Sequence, residues 1–279
     1  MAIPKDFPPI RACIFDMDGL LINTEDLITV STNEILQKYG RPPFTRSIRA
    51  QLMGVPDSTN GDIFHNWAKL PVSREQFAHE SAENMRRHFP NSQPLPGAEK
   101  LLSNLDGARS ASSGERIELA LATSSKRHSY ELKTSGRESR TLLNSHFPPR
   151  NIVLGDDPRV RQGRGKPAPD IYLVALQSIN SSAACFRGDP IEPKECLVFE
   201  DSVAGVEAAR RAGMRVVWVP HPDVADEYQA REKEVLAARM GISELGDDWQ
   251  LGEIDDGWAE AIPSLEHFDY QKYGIVVPS

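Results

Sequence analysis

Five short apolar runs, each ending among polar residues and separated by segments of helical period, limit the possible folds more than anything else in this chain. They are Ile10–Phe15 (IRACIF), Ile117–Ala122 (IELALA), Ile152–Leu154, Cys196–Phe199 and Arg215–Pro220. Nearly continuous apolar runs of this length suit parallel strands covered on both faces. Helical patterns lie between them: Ala98–Leu105 after Pro96-Gly97, Asp170–Ile179 after Pro169, and Ser202–Ala212 before Gly213. Strands alternating with helices imply βαβ units, and so an α/β fold with a doubly wound parallel sheet.

Residues 23–94 break that alternation. Thr24 is placed to cap a helix whose first turn carries Glu25 and Asp26, favourable at the positive helix end. Leu27, Ile28, Ile35, Leu36 and Tyr39 give this helix an apolar face until Gly40-Arg41-Pro42-Pro43 stops it. Further helical segments are expected around 45–53, 57–69 and 73–88. An all-helical insertion directly after the first strand would sit over that strand's carboxyl end as a lid. The expected division is a core domain at 1–22 and 95–279 and a helical cap domain at 23–94. Phe64, Trp67, Phe77 and Phe89 are expected to pack the cap's own core. Arg86-Arg87 and Arg210-Arg211 read as solvated helix faces. The polar stretches at 106–116, 160–165 and 180–194 read as surface insertions.

Composition bounds the function. A chain of 279 residues with 39% hydrophobic residues can bury a sizeable core. No apolar run approaches the roughly 18 residues of a membrane span. The start, MAIPKDFPPIRACIFD, lacks a secretory pattern, and Cys13, Cys185 and Cys196 are odd in number with no CxxC. A soluble, cytoplasmic protein in a reducing compartment is therefore expected. Of the net charge of −8, −7 falls between Ser243 and Glu260, where Glu244, Asp247, Asp248, Glu253, Asp255, Asp256 and Glu260 meet no Lys or Arg. That segment is expected to be solvated surface. No basic stripe remains to bind nucleic acid. The seven histidines show no HExxH spacing, which argues against zinc.

Chemistry concentrates where the apolar runs end. The first delivers Asp16, with Asp18 two residues on and Gly19 allowing a sharp turn. That glycine falls too early for an EF-hand calcium loop. Another run ends in Glu200-Asp201 before a helix, so two acidic strand ends can converge on one hard cation such as Mg²⁺. Packed carboxylates need a metal or a nearby cation to stay ionised, and Lys166 in Gly165-Lys166-Pro167 is a candidate. Thr123-Ser124-Ser125 ends a further strand in hydroxyls and amides suited to a phosphate.

Asp16-x-Asp18-Gly19, Thr123, Lys166 and Glu200-Asp201 stand in the order of four motifs that resemble those of the haloacid dehalogenase-like superfamily. The resemblance covers nearly the whole chain and implies a Rossmann-like core with a helical cap. Within the superfamily, FDMDGLLINTE (15–25), PGAEKL (96–101), ALATSS (120–125), IVLGDDPRV (152–160), GKPAPDIYL (165–173) and CLVFEDSVAGVEAARRAGM (196–214) are most similar to the eukaryotic pseudouridine-5′-phosphatase family. Asn23 stands where such proteins often carry Asp. The resemblance implies a Mg²⁺-dependent phosphomonoester hydrolase working through an aspartyl-phosphate. Asp16 would be the nucleophile and Asp18 the acid and base. Thr123, Ser124 and Lys166 would hold the phosphate, and Asp16, Asp18, Glu200 and Asp201 the metal. Met53-Gly54-Val55-Pro56 resembles a tight cap loop, which makes Gly54 and Asp57 substrate-facing candidates.

The implied partner is a small phosphorylated metabolite, with no nucleic acid or membrane and a monomer or weak homodimer as the acting form. Pseudouridine 5′-phosphate leads; glycerol phosphate or a sugar phosphate is the alternative. A β-phosphoglucomutase-like mutase is less favoured, because Ile28 and Asp57 stand where such mutases carry His and Arg. A regulatory module that kept the fold would be expected to lose one of the acids, and all are present.

Overall fold

A computed structural model describes residues 7–53, 61–181, 189–241 and 250–278. Its centre is a six-stranded, all-parallel sheet in the order β4-β3-β1-β5-β6-β7. The strands are β1 (Ala12–Phe15), β3 (Glu118–Ala122), β4 (Ile152–Val153), β5 (Cys196–Glu200), β6 (Arg215–Trp218) and β7 (Ala259–Ala261). The five apolar runs thus become five of the six strands.

The strands are apolar throughout because both faces are covered. Ala12, Ile14, Ala120, Ala122, Val198, Val216 and Trp218 enter one core, with α8 (Asp170–Asn180) and α9 (Val203–Arg211) packed on it. Their neighbours Cys13, Phe15, Leu119, Leu121, Leu197, Phe199 and Val217 enter a second, beneath α5 (Ala98–Asp106) and α7 (Arg137–His146). Phe15 and Phe199, in register on adjacent strands, stack with centroids 4.6 Å apart. This is the three-layer arrangement expected of a doubly wound sheet.

Residues between β1 and α5 form α1 (Thr24–Lys38), α2 (Arg46–Leu52), α3 (Asp62–Ala68) and α4 (Arg74–His88). Thr45 and Ser73 cap α2 and α4, accepting from the amides of Ile48 and Gln76. Ile35, Leu36, Leu52, Phe64, Ala68 and Phe77 form a separate apolar cluster, with Trp67 against it. Phe89 lies outside that cluster, beneath the ammonium of Lys133. The two chain crossings are tied together: Asn23 N donates to Gln93 O (3.1 Å), and Gln93 N to Asn23 Oδ1 (2.9 Å).

One expectation is corrected and two gain detail. The acidic segment lies at the surface as expected, with Glu253 and Asp255 exposed, but it also contributes β7 to the sheet, and its described acids are paired. Glu253, Asp255, Asp256 and Glu260 meet Arg239, Lys233, Arg210 and Lys272. Arg210 and Arg211 are buried rather than solvated, Arg211 holding Glu207 at 2.9 Å. The stretch at 106–116 contains β2 (Arg109–Ser110), which pairs antiparallel with β8 (Ile275–Val276) at the far end of the chain.

Candidate active site

Sheet order decides which side chains meet. The chain leaves β1 toward β3 and β4 on one side and returns through β5 toward β6 and β7 on the other. The carboxyl ends of β3, β1 and β5 are therefore neighbours, at the point where ligands bind in open α/β sheets. Asp16, Thr123, Glu200 and Asp201 all lie there. Asp16 follows β1, is 5% exposed, and its amide donates to Phe199 O at 3.0 Å.

Lys166 reaches the same point from the loop before α8, and the Lys166–Pro167 peptide is cis. Its ammonium pairs with Asp16 Oδ1 and lies 2.6 Å from Glu200 Oε1. Tyr172 on α8 donates to the same Glu200 oxygen at 2.7 Å. Glu200 Oε2 accepts from Ser202 N (2.9 Å) and Ser202 Oγ (3.0 Å). The carboxylate lies against the first turn of α9, where a Cβ on Gly205 would fall 1.7 Å from Glu200 Oε1. Burial favours the neutral acid, but Lys166, Tyr172 and the Ser202 amide together hold Glu200 below the usual carboxylate range.

Asp18 stands in a different environment. Gly19, at φ +78°, turns the chain, and its amide donates to Ile22 O at 2.9 Å. The Asp18 carboxylate accepts from Thr24 Oγ1 (2.6 Å), Thr123 Oγ1 (3.2 Å) and Ser125 Oγ (2.7 Å), and pairs with Lys133 Nζ at 2.7 Å. Burial would raise its pKa; Lys133 and the hydroxyls overcome that and leave it lowered. Thr24 therefore does not cap α1 as expected. Asn23 takes the cap position without a side-chain bond to the helix, and the Thr24 hydroxyl goes to Asp18.

Asp201 is buried, with Trp218 Nε1 donating to its carbonyl at 2.8 Å. Its carboxylate crosses close to Gly19, where a Cβ would lie 2.4 Å from Oδ2 and 2.9 Å from Glu25 Cγ. Burial, with Glu200, Asp16 and Glu25 nearby, pushes the Asp201 pKa well up. Asp16 is raised to about 7, chiefly by burial, with Glu200 and Asp18 adding to it against Lys166. The excess negative charge beside Asp16 and Asp201 is what a divalent cation would relieve. Among the described residues no three Cys, His, Asp or Glu side chains gather as a ligand set. Two carboxylates and a main-chain carbonyl still suit Mg²⁺, which keeps several waters. Glu200 does not fit as a direct ligand, since both its oxygens are taken by Lys166, Tyr172 and Ser202.

The structure thus brings together Asp16, Asp18, Thr123, Lys166, Glu200 and Asp201 from distant parts of the chain. Ser124 adjoins them, its carbonyl backed by Gly155, where a Cβ would sit 2.1 Å away. Gly54 and Asp57 lie outside the described residues. Lys133, Thr24 and Tyr172 belong to the site and were not among the expected residues, and Ser125, expected with Thr123 and Ser124 at a phosphate, donates to Asp18 instead. Thr24 and Tyr172 stood inside motif stretches, whereas Lys133 carried no local signal.

The sequence model described as "Haloacid dehalogenase-like hydrolase" matches residues 13–219. The chain is 36% identical to a Saccharomyces cerevisiae protein named "Probable pseudouridine-5′-phosphatase", over 95% of this chain and 98% of that one. It is 33% identical to the Arabidopsis thaliana (DL)-glycerol-3-phosphatase 2, over 88% and 94%. The crystal structure of a HAD hydrolase from Entamoeba histolytica superposes with a TM-score of 0.61 at 19% identity, covering 95% of this chain and 98% of that one, a likeness of fold.

Proposed function

The chain belongs to the haloacid dehalogenase-like hydrolase family and is a phosphatase, and on that premise we propose that it hydrolyses a small phosphomonoester through an aspartyl-phosphate on Asp16, with pseudouridine 5′-phosphate as the leading substrate. The observation that carries the mechanism is the placing of Asp16 and Asp18 two residues apart in separate surroundings, each against its own buried lysine.

An Asp16 carboxylate oxygen attacks phosphorus, the bond from phosphorus to the ester oxygen breaks, and Asp18 gives the leaving alkoxide a proton. A water then loses its proton to Asp18 and attacks the phosphoryl group, releasing phosphate and the Asp16 carboxylate. Lys166 and the Thr123 hydroxyl are placed to hold phosphoryl oxygens, and Glu200 keeps Lys166 oriented. Asp16, Asp201 and the Asp18 carbonyl would hold Mg²⁺, which when bound supplies positive charge that favours ionised Asp16 and offsets charge developing on the phosphoryl oxygens. The raised Asp16 and lowered Asp18 are the reverse of what nucleophile and acid require. An arriving phosphate dianion acts in the required direction at Asp18, since a like charge favours its protonated form.

The bonds between Asn23 and Gln93 support the division into a core at 1–22 and 95–279 and a cap at 23–94. Such a cap would exclude water during attack. The buried free thiols Cys13 and Cys196 support a reducing, cytoplasmic setting. Glycerol phosphate is the second reading, favoured by the likeness to the Arabidopsis glycerol-3-phosphatase. The deciding experiment measures phosphate release from pseudouridine 5′-phosphate, uridine 5′-phosphate, glycerol 3-phosphate and hexose phosphates, with Mg²⁺ and with EDTA. A Mg²⁺-dependent preference of ~100-fold for pseudouridine 5′-phosphate, about 2.7 kcal/mol in the transition state, is expected. A preference for glycerol phosphate would move the substrate to the second reading, and undiminished turnover in EDTA would sink the metal dependence.

A further inference from the structure

Each of the two aspartates that open the site has a buried lysine, and only Lys166 belongs to the motif residues. The other, Lys133, ends α6 (Arg127–Lys133) and is 6% exposed. Its ammonium lies 2.7 Å from Asp18 Oδ1 and 2.8 Å from Ser125 Oγ, and 5.0 Å from the centre of the Phe89 ring. Burying an ammonium is costly unless it is paired, and both polar partners found here lie in the Asp18 cluster. We infer that Lys133 is the positioning residue of Asp18, fixing where that carboxyl stands for the two proton transfers; this rests on the reading of Asp18 as acid and base.

The hydrogen bonds show how the positioning works. A serine hydroxyl has one hydrogen and can point it in several directions. Because Ser125 Oγ accepts from Lys133, its hydrogen is turned to Asp18 Oδ2, 2.7 Å away. Lys133 therefore holds one carboxylate oxygen directly and orients the donor to the other. Thr24, on the first helix after β1, completes the grip on Oδ1 at 2.6 Å. The ammonium also lies over the face of the Phe89 ring, a favourable partner for a cation. Removing the ammonium would free the Ser125 hydroxyl and leave Asp18 without its charged partner, so the carboxyl would no longer have one place to stand.

The test is a double-mutant cycle on the full chain with Mg²⁺, using whichever phosphomonoester the panel above selects. Lys133→Met should lower kcat by about 10- to 100-fold, the scale of a small misplacement of a reacting group, with KM almost unchanged. In an Asp18→Asn background the same change should cost less than about twofold, because the carboxyl it positions has been replaced. Lys133→Arg, which keeps the charge, should recover part of the lost kcat. An equal further loss in the Asp18→Asn background would assign Lys133 to holding the fold and overturn the inference. A raised KM with kcat retained would assign it to phosphate binding and overturn it as well. Thermal melting of every variant shows whether the fold survives; if Lys133→Met does not fold, Lys133→Gln and Lys133→Arg complete the same cycle. Failure of the underlying reading has a separate signature, since Asp18→Asn alone would then turn over like the native chain.

Discussion

At the scale of single residues, the site consists of groups whose character is set by neighbours far away in the chain. Asp16 and Asp18 are two residues apart in sequence, yet burial raises one to about 7 while Lys133 and the hydroxyls of Thr24 and Ser125 lower the other. That they carry chemistry was legible, because a strand ending in Asp-x-Asp-Gly has few uses. Their different states were not, because Lys166 and Lys133 arrive from other elements. Thr24 shows the limit of local reasoning. It has the residue type and position of a helix cap, but a buried carboxylate is the stronger acceptor and takes its hydroxyl. The prediction at this scale is that Asp16→Asn, nearly the same shape without a nucleophilic oxygen, should lower kcat by ~10⁴-fold or more. Phosphate-release assays with a melting curve beside them check it, and native-like turnover would exclude the covalent route.

Among elements, the close fit of α9 on the end of β5 matters most to the site. Gly205 is there so that the Glu200 carboxylate can rest on the helix's first turn, with a Cβ position only 1.7 Å from Oε1. Gly205→Ala should destabilise the fold by about 1–3 kcal/mol, as overpacked sites do, and should also lower turnover by displacing the group that orients Lys166. Chemical denaturation measures the first effect; unchanged stability would show that Glu200 has room to move. The short edge elements were least legible. β7 sits in a segment whose composition reads as solvated, and β2 pairs with residues about 165 positions later, a partner no local pattern announces. In both, tertiary pairing overrides composition: each described acid of the segment has a basic partner supplied by another element.

For the whole molecule, helix α2 is fastened to α10 (Pro222–Tyr228) of the core by charge. Arg49 lies 2.9 Å from Asp223, and Arg46 2.7 Å from Asp226. His221 beside Arg49, together with His65 and His146, is held below its usual pKa chiefly by burial. A folded-state value below the unfolded 6.5 means that the unfolded chain binds the proton more readily. This contribution to stability is therefore present above pH 6.5 and is lost as pH falls below it. Asp16 works in the opposite sense, since its raised pKa makes protonation favour the folded state. Comparing native chain with His146→Asn cancels the carboxylates. The native chain should lose more stability between pH 7 and 5.5 than the variant does, measured by denaturant unfolding; parallel curves would show that His146 titrates alike in both states.

The sequence alone determined the class of fold, the five central strands, the helical insertion and the acids at the strand ends. All of these follow from apolar periodicity and turn chemistry over a few neighbouring residues, and the resemblance to known motifs follows from the same stretches. Only the tertiary structure decided which strand ends are neighbours, which lysine serves which aspartate, and that Glu200 spends its oxygens on Lys166, Tyr172 and Ser202. The physical reason is range. Periodicity is a property of adjacent residues, whereas burial and charge at a site depend on groups brought together from as far apart as Asp16 and Asp201, and no local pattern records that distance.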